Sequence, residues 1–378
     1  MDLTEPTFSF GIEEEYLLVD KQTRMLTSAP AELFDGLQAA VPGQIAAELL
    51  RSQVEVGTKP SHSFTQCRAD LAQLRTTVVR LADDFGLAPI AASSHPIGGY
   101  RSQETTENER YAALATDLAG VGRRMVVCGM HIHVGIEDDE LRIDILNQAR
   151  YFLPHLLALS TSSPFWEGDD TGLKSFRIAI FNGLPRTGLP GRLAGWDEFR
   201  QVTGLLSAAG VIDDASKIWW DLRPSIKFPT LEMRITDVCT RIDDAISIAA
   251  LFVSLCRMLY RLRRNNQSWR QYPVFLLEEN RWRAQRYGVD GELFDFGRGA
   301  LVPFTDLIDE LLEFIEEDAE VLGCRAEVAR ARQIARTGTS ADQQVRAHQD
   351  ALSGGLAADA ALRAVVDDLI EQTANVGQ

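Results

Sequence analysis

The chain has 378 residues, of which 45% are hydrophobic and 24% are charged, a composition that is typical of a globular protein. Acidic residues outnumber basic ones by 54 to 38, and the net charge of −16 argues against a nucleic-acid partner, because nucleic acids are bound by clustered Lys and Arg. The five cysteines form no CxxC pair, so the sequence predicts neither a disulfide framework nor a zinc knuckle. The N-terminal stretch MDLTEPTFSF does not resemble a signal peptide, and we expect a cytoplasmic protein.

The first third of the chain shows two kinds of periodicity. Alternation of side-chain types predicts strands at 8–19 and 52–58. Apolar residues at helical spacing predict a helix over 64–86, with Gly86 as its C-cap. The stretch CGMHIHVGI, residues 128–136, is then predicted to be a strand with an apolar face and a face that carries two histidines.

The middle of the chain continues this mixture. A long amphipathic helix is predicted over 138–160, with a kink at Pro154. Alternation predicts further strands at 174–181 and 230–238. The Gly- and Pro-rich stretch 182–199 is predicted to be a long loop, and loops of that length are often lids or binding loops.

From about residue 240 onward the sequence is almost entirely helical in pattern. Helices are predicted at 242–264, 275–287, 305–322 and 357–372. The most apolar stretch, AISIAALFVSLCRMLYRL, contains two serines and two arginines, which favours a buried core helix over a membrane span. No repeat or low-complexity linker interrupts the chain, so we predict an α+β protein with a single domain, 1–378.

The predicted strands share an arrangement in which one face is apolar and the other carries ionisable side chains. The members of this second face are Glu13, Glu15, Glu55, His131, His133, Arg177, Glu232 and Arg234. Carboxylates crowded on one face of a sheet repel each other unless positive charge lies among them, and divalent cations are the simplest source of it. Many carboxylates with one or two imidazoles suit Mg²⁺ or Mn²⁺ better than Zn²⁺, and arginines suit phosphate or carboxylate.

Each of these groups also has a purely structural interpretation. The acidic residues 13–15 could form an exposed patch, the two histidines could be hydrogen-bonded within the sheet, and Glu232 could pair with Arg234. Gly129 and Gly135 flank the histidines and favour a binding role, because glycine in a strand marks close approach by a ligand or by another chain. The sequence contains none of the patterns GxxxxGK[ST], GxSxG and HExxH, so a nucleotide would be bound through metals on a sheet and not by a P-loop.

Several motifs resemble those of the bacterial carboxylate–amine ligase family, also called glutamate–cysteine ligase type 2. They are FGIEEEYLLVD, VEVGT, CGMHIHVGI, SPFWEGDDTGLKSFR and PTLEMRITDVCT, and the resemblance runs from about residue 8 to beyond 370. It implies a glutamine-synthetase-like fold, in which an antiparallel sheet forms an active-site funnel and helices cover its outer face. It also implies that ATP and Mg²⁺ (or Mn²⁺) bind in the funnel, and it suggests a small homo-oligomer.

The resemblance assigns roles to individual residues. The metal-binding residues that it implies are Glu13, Glu15, Glu48, Glu55, His131 and Glu232. Arg234 and Arg177 are implied to be catalytic, and the nucleotide- or substrate-binding residues are His133, Gly129, Arg51 and Arg177. Glu48 and Glu55 are seven apart, so a regular strand would place them on opposite faces; we expect a bulge or bend between them, or a preceding turn that contains Glu48.

The predicted activity is ligation of a carboxylate, expected to be glutamate, to an amine that is cysteine or another compound. ATP would phosphorylate the carboxylate to an acyl phosphate, and the amine would displace phosphate while the loop 182–199 closes over the intermediate. Two alternatives stay open on the sequence alone: a phosphotransferase of similar architecture that acts on a guanidine, and a non-catalytic nucleotide-sensing protein. Neither a nucleic acid nor a membrane is an expected partner.

Overall fold

The computed structural model describes residues 4–106 and 109–377. The described strands are β1 (Phe10–Asp20), β2 (Ile45–Ala47), β3 (Gln53–Gly57), β4 (Leu87–Ile90), β5 (Met130–Gly135), β6 (Phe165–Trp166), β7 (Asp169–Asp170), β8 (Thr187–Gly188), β9 (Trp219–Trp220), β10 (Leu222–Pro224), β11 (Thr230–Met233), β12 (Glu292–Asp295) and β13 (Ala300–Pro303). The described helices are α1 (Ala31–Ala40), α2 (Phe64–Asp83), α3 (Glu109–Gly122), α4 (Asp139–Ala149), α5 (Leu153–Ser160), α6 (Phe176–Phe181), α7 (Trp196–Ala208), α8 (Ile242–Arg264), α9 (Val274–Tyr287), α10 (Phe304–Phe314), α11 (Glu316–Val321), α12 (Arg325–Thr337), α13 (Ser340–Ser353) and α14 (Ala358–Ala374).

An antiparallel sheet of seven strands organises the molecule. Its order is β10-β11-β5-β1-β3-β2, and β4 also pairs with β1. The first half of the long strand β1 pairs with β5 and its last four residues pair with β4, while β3 lies along its other edge. The strand β1 is therefore central, and it pairs directly with three of the other strands.

One face of this sheet is packed against helices. Ile12 of β1, Val54 of β3 and Ile132 of β5 lie on this face and are fully buried. Helix α8 packs against β5, and helix α2 packs against both β1 and α8. By length and composition α8 could cross a membrane, but 83% of its most apolar stretch is buried inside the protein, so it is the predicted core helix.

Several boundaries differ from the sequence-based prediction. Residues 174–181 do not form a strand, and Phe176–Phe181 is a short helix. Six alternating residues satisfy either period, and none of the described strands pairs with this stretch. The predicted helix over 138–160 is two helices, with Pro154 in the first turn of the second, where proline is tolerated. The helical region after residue 240 also contains the hairpin β12–β13.

The stretch 182–199, which was predicted to be a long loop, contains regular structure and is hydrogen-bonded to a neighbouring helix. It contains β8 and the first turn of α7. The side chain of Asn147 in α4 holds Leu193 at both its carbonyl oxygen and its N–H, at 2.7 and 3.0 Å, and Arg150 donates to the carbonyl oxygen of Pro190 at 2.9 Å. These contacts fasten the stretch to α4, so its geometry does not support the prediction of a closing lid.

The hydrophobic core is continuous from Phe8 to Leu369. This continuity supports our proposal that the chain is one domain. All five cysteines are buried free thiols.

Candidate active site

A cavity of about 820 Å³ lies over the face of the sheet that the core helices leave free. Nine of the predicted site residues line it: Glu13, Glu15, Glu48, Glu55, His131, His133, Arg177, Glu232 and Arg234. They come from positions up to 221 residues apart along the chain. The packing of β1, β3, β5 and β11 side by side brings six of them together, while Glu48, Arg177 and Arg234 reach the cavity from neighbouring segments.

Strand register explains most of this convergence. Across β1 and β3, Glu15 lies directly opposite Glu55. Across β1 and β5, Glu13 lies opposite His131, and His133 in turn lies opposite Glu232 of β11. Directly opposed side chains in an antiparallel pair are close neighbours, so the register places a row of acids and imidazoles across the sheet.

Glu48 joins this row from a different segment. The chain reverses between β2 and β3, which pair so that Ala46 lies opposite Glu55. Glu48 directly follows β2, so it and Glu55 lie on two antiparallel arms of a hairpin. The odd spacing of seven is thus accommodated by a turn that lies between Glu48 and Glu55, which is the first of the two expected solutions.

Two groups of side chains in this row could each hold a divalent cation. The first is Glu13, Glu55 and His131, the second is Glu15, Glu48 and Glu55, and within each group the ligand atoms lie within 4.8 Å of one another. Burial, together with the charge of Glu15, raises the pKa of Glu48 to about 7, and burial beside Glu48 and Glu13 raises the pKa of Glu55 well above its usual value. Like charges this close favour protonation unless a cation replaces the proton, so the donor set fits Mg²⁺ or Mn²⁺.

The two histidines differ in environment. His131 Nδ1 lies 3.3 Å from a Glu13 carboxylate oxygen, but burial and the charge of Arg234 lower the pKa of His131 to about 4, so it is neutral. His133 contacts the Thr230 hydroxyl through Nδ1 at 3.0 Å and approaches Glu13 through Nε2 at 3.4 Å. Burial disfavours the charged form of His133, yet its acidic neighbours outweigh burial and raise its pKa. A neutral imidazole is the form that binds metal, so His131 is the better candidate ligand.

Glu232 has a different kind of environment from the other acids. Arg223 of β10 donates to both of its carboxylate oxygens, at 2.9 and 3.0 Å, and Arg234 donates to one of them. Burial opposes ionisation, but these two arginines hold the pKa of Glu232 below its usual range. The carboxylate is thus balanced within the protein, and it belongs to neither of the two groups of candidate metal ligands.

Arg177 reaches the cavity from helix α6 and not from a strand of the sheet. Its guanidinium donates to the carbonyl oxygens of Arg234 and Ile235, at 3.0 and 3.2 Å. A β-carbon on Gly129 would lie 3.0 Å from the guanidinium carbon of Arg177, so the glycine makes room for this arginine. Binding of a nucleotide at Gly129 stays a prediction, since its missing side chain is explained by a contact within the protein.

Arg51 lies apart from the other predicted site residues. Its guanidinium pairs with Glu104 at 2.8 Å and donates to the carbonyl oxygen of Ala29 at 3.2 Å, and its side chain is 39% exposed. It does not line the cavity. The geometry therefore gives no support to a nucleotide-binding role for Arg51.

Several residues that line the cavity were not predicted from sequence. They include Arg223 and residues of the two segments before and after it, such as Lys217, Trp219, Lys227 and Phe228. Arg223 precedes a turn and β11, and the pattern of two short strands around SIKFP could have indicated a hairpin that places it beside Glu232. The aromatic and lysine side chains carry no such signal.

Two relatives with provisional names share nearly the whole chain. A protein of Rhodospirillum rubrum that is provisionally named glutamate–cysteine ligase 2 is 57% identical over 376 residues, which cover 98% of this chain and 97% of the relative. A protein of Ruegeria pomeroyi with the same provisional name is 52% identical over 365 residues, covering 97% of this chain and 94% of the relative.

Solved structures share the fold at low sequence identity. The crystal structure of glutamate–cysteine ligase from Francisella tularensis in complex with AMP matches with a TM-score of 0.66 at 13% identity, over 99% of this chain and 90% of that one. A bifunctional glutathione synthetase from Pasteurella multocida matches with a TM-score of 0.69 at 16% identity, over 97% of this chain and 52% of that one. The predicted α+β fold of the glutamine-synthetase-like type is confirmed.

Residues 9–367 match the family model for glutamate–cysteine ligase family 2. This match spans all the strands that form the site and the helices that support them. Together with the relatives above 50% identity, it confirms the resemblance on which the site residues were first assigned. The chain belongs to the glutamate–cysteine ligase family 2.

Proposed function

We propose that this protein is an ATP-dependent ligase that joins the carboxylate of glutamate to an amine, cysteine or another compound, through an acyl phosphate. The observation that carries the proposal is the two sets of candidate metal ligands, which have Glu55 in common. Both sets lie in one cavity with Arg234 and Arg177. Such a cavity offers cation sites and anion-binding side chains side by side, as transfer of a phosphoryl group requires. Family membership supports the same reaction class.

Divalent cations are part of this proposal. Glu13, Glu55 and His131 would hold one ion, and Glu15, Glu48 and Glu55 would hold a second. An ion held there would supply positive charge beside the phosphates of ATP. Glu232 is left out of both groups because its carboxylate is already balanced by two arginines.

The side chains of the protein have separate tasks in this scheme. Arg234 lies between Glu232 and His131 Nδ1, the latter at 3.4 Å, and its fixed charge suits the oxygens of a transferring phosphoryl group. Glu232 and its partner Arg223 hold Arg234 in place, because a buried arginine keeps its position when its carboxylate partner is itself fixed. Arg177 suits a substrate carboxylate beside this centre.

Hydroxylamine trapping tests the proposal directly. Hydroxylamine captures acyl phosphates even when the natural amine is unknown. Incubation with ATP, Mg²⁺, hydroxylamine and glutamate, aspartate or glutarate is expected to give the hydroxamate of one acid together with ADP and phosphate. The Arg234→Ala variant is expected to give at least about a hundredfold less, because the developing charge loses its partner.

The other outcomes separate the remaining hypotheses. AMP and pyrophosphate as products would contradict the acyl-phosphate route and indicate an adenylate. Phosphorylation of a guanidine without any carboxylic acid would support the phosphotransferase alternative. ATP binding without turnover of any acid would support a nucleotide sensor. We further propose that the enzyme acts in the cytoplasm and forms a small homo-oligomer. Size-exclusion chromatography with light scattering can test the oligomeric state.

A further inference from the structure

A buried ion pair lies behind the wall of the cavity. Arg281 of α9 donates through Nε and Nη2 to the two carboxylate oxygens of Asp221, at 2.6 and 3.0 Å. The two residues are 3% and 2% exposed, and neither lines the cavity. Apolar side chains would fill the same space at a smaller cost of desolvation, so the geometry that the pair fixes explains it better than stability does.

Asp221 holds the backbone of Arg234. It lies between β9 and β10, opposite Arg234, where the register of β10 with β11 continues past the two strands. Its carbonyl oxygen accepts from the N–H groups of Arg234 and Ile235, at 2.8 and 3.2 Å. Its own N–H donates to the carbonyl oxygen of Gly188 at 2.9 Å. The position of Asp221 therefore determines where the Arg234 side chain enters the cavity.

The same guanidinium also reaches the helix that carries Arg177. Nη2 of Arg281 donates to the side-chain oxygen of Asn182 at 2.9 Å. Asn182 is the C-cap of α6, and Arg177 lies in the first turn of that helix. Arg177 in turn donates to the carbonyl oxygen of Arg234 at 3.0 Å. Both contacts of Arg281, through Asp221 and through α6, thus lead to the backbone of Arg234.

We infer that Arg281 is a positioning residue for the ligase reaction, and that it acts through Asp221 to place Arg234 at the transferring phosphoryl group. The inference rests on the proposed function and assigns to it a residue that lies outside the cavity. A guanidinium with three hydrogen bonds to two segments limits the movement of one against the other, as precise sites require of their supporting residues. A small displacement of Arg234 is expected to cost activity, because stabilisation of a developing charge depends on exact placement.

Replacement of Arg281 by methionine removes its hydrogen bonds and keeps a long side chain. We expect Arg281→Met to lower kcat for hydroxamate formation by at least about tenfold and to leave KM for Mg-ATP within about threefold of the wild type. The reason is that Arg234 is proposed to act on the transferring group and not on bound ATP. Rates are measured well below the melting temperature, and a kcat within about threefold of the wild type would overturn the inference.

A matched control separates positioning from stability. Asp318 is fully buried and accepts from Arg257 and Arg261 on the helical side of the protein, and none of the three lines the sheet cavity. Asp318→Asn breaks a buried ion pair of the same kind, so it should lower the melting temperature, yet kcat should stay within about twofold of the wild type. An equal fall of kcat in both variants would show that lost stability explains the effect and would contradict the inference.

A double variant shows whether Arg281 acts through Arg234. In the Arg234→Ala background, the side chain that Arg281 is inferred to place is already absent. Adding Arg281→Met is therefore expected to lower the remaining hydroxamate rate by less than about threefold. A double variant in which the two single losses multiply would show that Arg281 acts independently of Arg234, and it would overturn the inference.

Arg281→Lys provides a variant that keeps the charge, should Arg281→Met not fold. The ammonium group still balances Asp221, so the protein is expected to fold. It lacks the planar fork that contacts Asp221 and Asn182 together, so kcat is expected to fall by at least about fivefold. A wild-type kcat in Arg281→Lys would show that charge balance alone matters and would contradict the inference.

The wild-type reaction distinguishes failure of this inference from failure of the proposed function. Hydroxamate that the wild type forms, and that the Arg281 variants form at the same rate, would overturn the inference alone. No hydroxamate from the wild type with any acid would overturn the proposed function and the inference with it.

Discussion

The two faces of β1 carry the same residue type with opposite consequences. Glu14 points into the core and is fully buried, where Arg75 donates to both of its oxygens at 2.9 and 2.7 Å and the Tyr16 hydroxyl donates at 2.5 Å. Glu13 and Glu15 point into the cavity, where their close neighbours include Glu55. The charge of Glu14 is fully balanced by the protein. The acids of the cavity, by contrast, have too few positively charged side chains beside them, and this deficit is what makes a cation site.

The largest expected effect is on stability, at the balanced face. Glu14→Gln leaves the Arg75 guanidinium buried without its ionic partner, and we expect it to lower the free energy of unfolding by about 3–5 kcal/mol in urea denaturation. The double variant Glu14→Leu with Arg75→Met replaces the pair by apolar groups and should recover most of that loss. A Glu14→Gln protein as stable as the wild type would contradict the comparison between the two faces.

The opposite result is expected for the cavity face. Glu55→Gln removes one of the crowded charges, so the metal-free protein should be at least as stable as the wild type, while Mg-dependent ATP turnover should fall by about two to three orders of magnitude. Mg²⁺ at a hundredfold excess over its dissociation constant should stabilise the wild type by about 2.7 kcal/mol and the variant by less. Destabilisation of the metal-free variant, as for Glu14→Gln, would show that Glu55 is structural.

The pKa of Glu48 predicts how pH acts on the same face. Because burial raises this pKa to about 7 in the folded protein, above its value in the unfolded chain, folding favours the protonated acid. The contribution of Glu48 to the stability of the metal-free protein is thus full at acidic pH and is lost as pH rises through about 7. Mn²⁺ affinity should change in the other direction and increase through the same range, because the ion displaces the proton.

Two measurements check this pH dependence. Denaturation in EDTA across the pH range reports the stability, and calorimetry in buffers of different ionisation enthalpy counts the protons that Mn²⁺ releases. Glu48→Gln cannot titrate and should flatten both dependences. A metal-free wild type that becomes more stable between about pH 5 and 7, where Glu48 would keep its proton only in the folded protein, would contradict the assignment.

The smallest effect is expected outside the cavity. Arg51→Gln breaks an ion pair with Glu104 in which both side chains are well exposed, and such pairs contribute at most about 1 kcal/mol. ATP turnover should stay within about twofold of the wild type, since Arg51 does not line the cavity. A loss of turnover beyond tenfold in steady-state assays would restore Arg51 to the site.

Sequence patterns were sufficient to predict which side chains of a long strand share a face. They were insufficient to predict which residues of different strands meet. The alternation in 8–19 and 128–136 correctly separated Ile12, Tyr16 and Ile132 from Glu13 and His131. The pattern at 174–181 failed because a six-residue run fits two periods, and Arg177 nevertheless reaches the cavity from a helix. Arg223 was not predicted because its role depends on the pairing of β10 with β11, which places it opposite Glu232.

The sequence by itself determined which side chains of β1, β3, β5 and β11 share a face, because the alternation of a strand is a local property of the backbone. It also determined the family, through motifs that lie within single strands. Only the tertiary structure decided that Glu48 meets Glu55 across a hairpin, that Arg51 points away to Glu104, and that Glu14 is balanced while Glu15 is not. Those outcomes depend on distances between segments remote in sequence, which strand register and helix packing set and no local pattern contains.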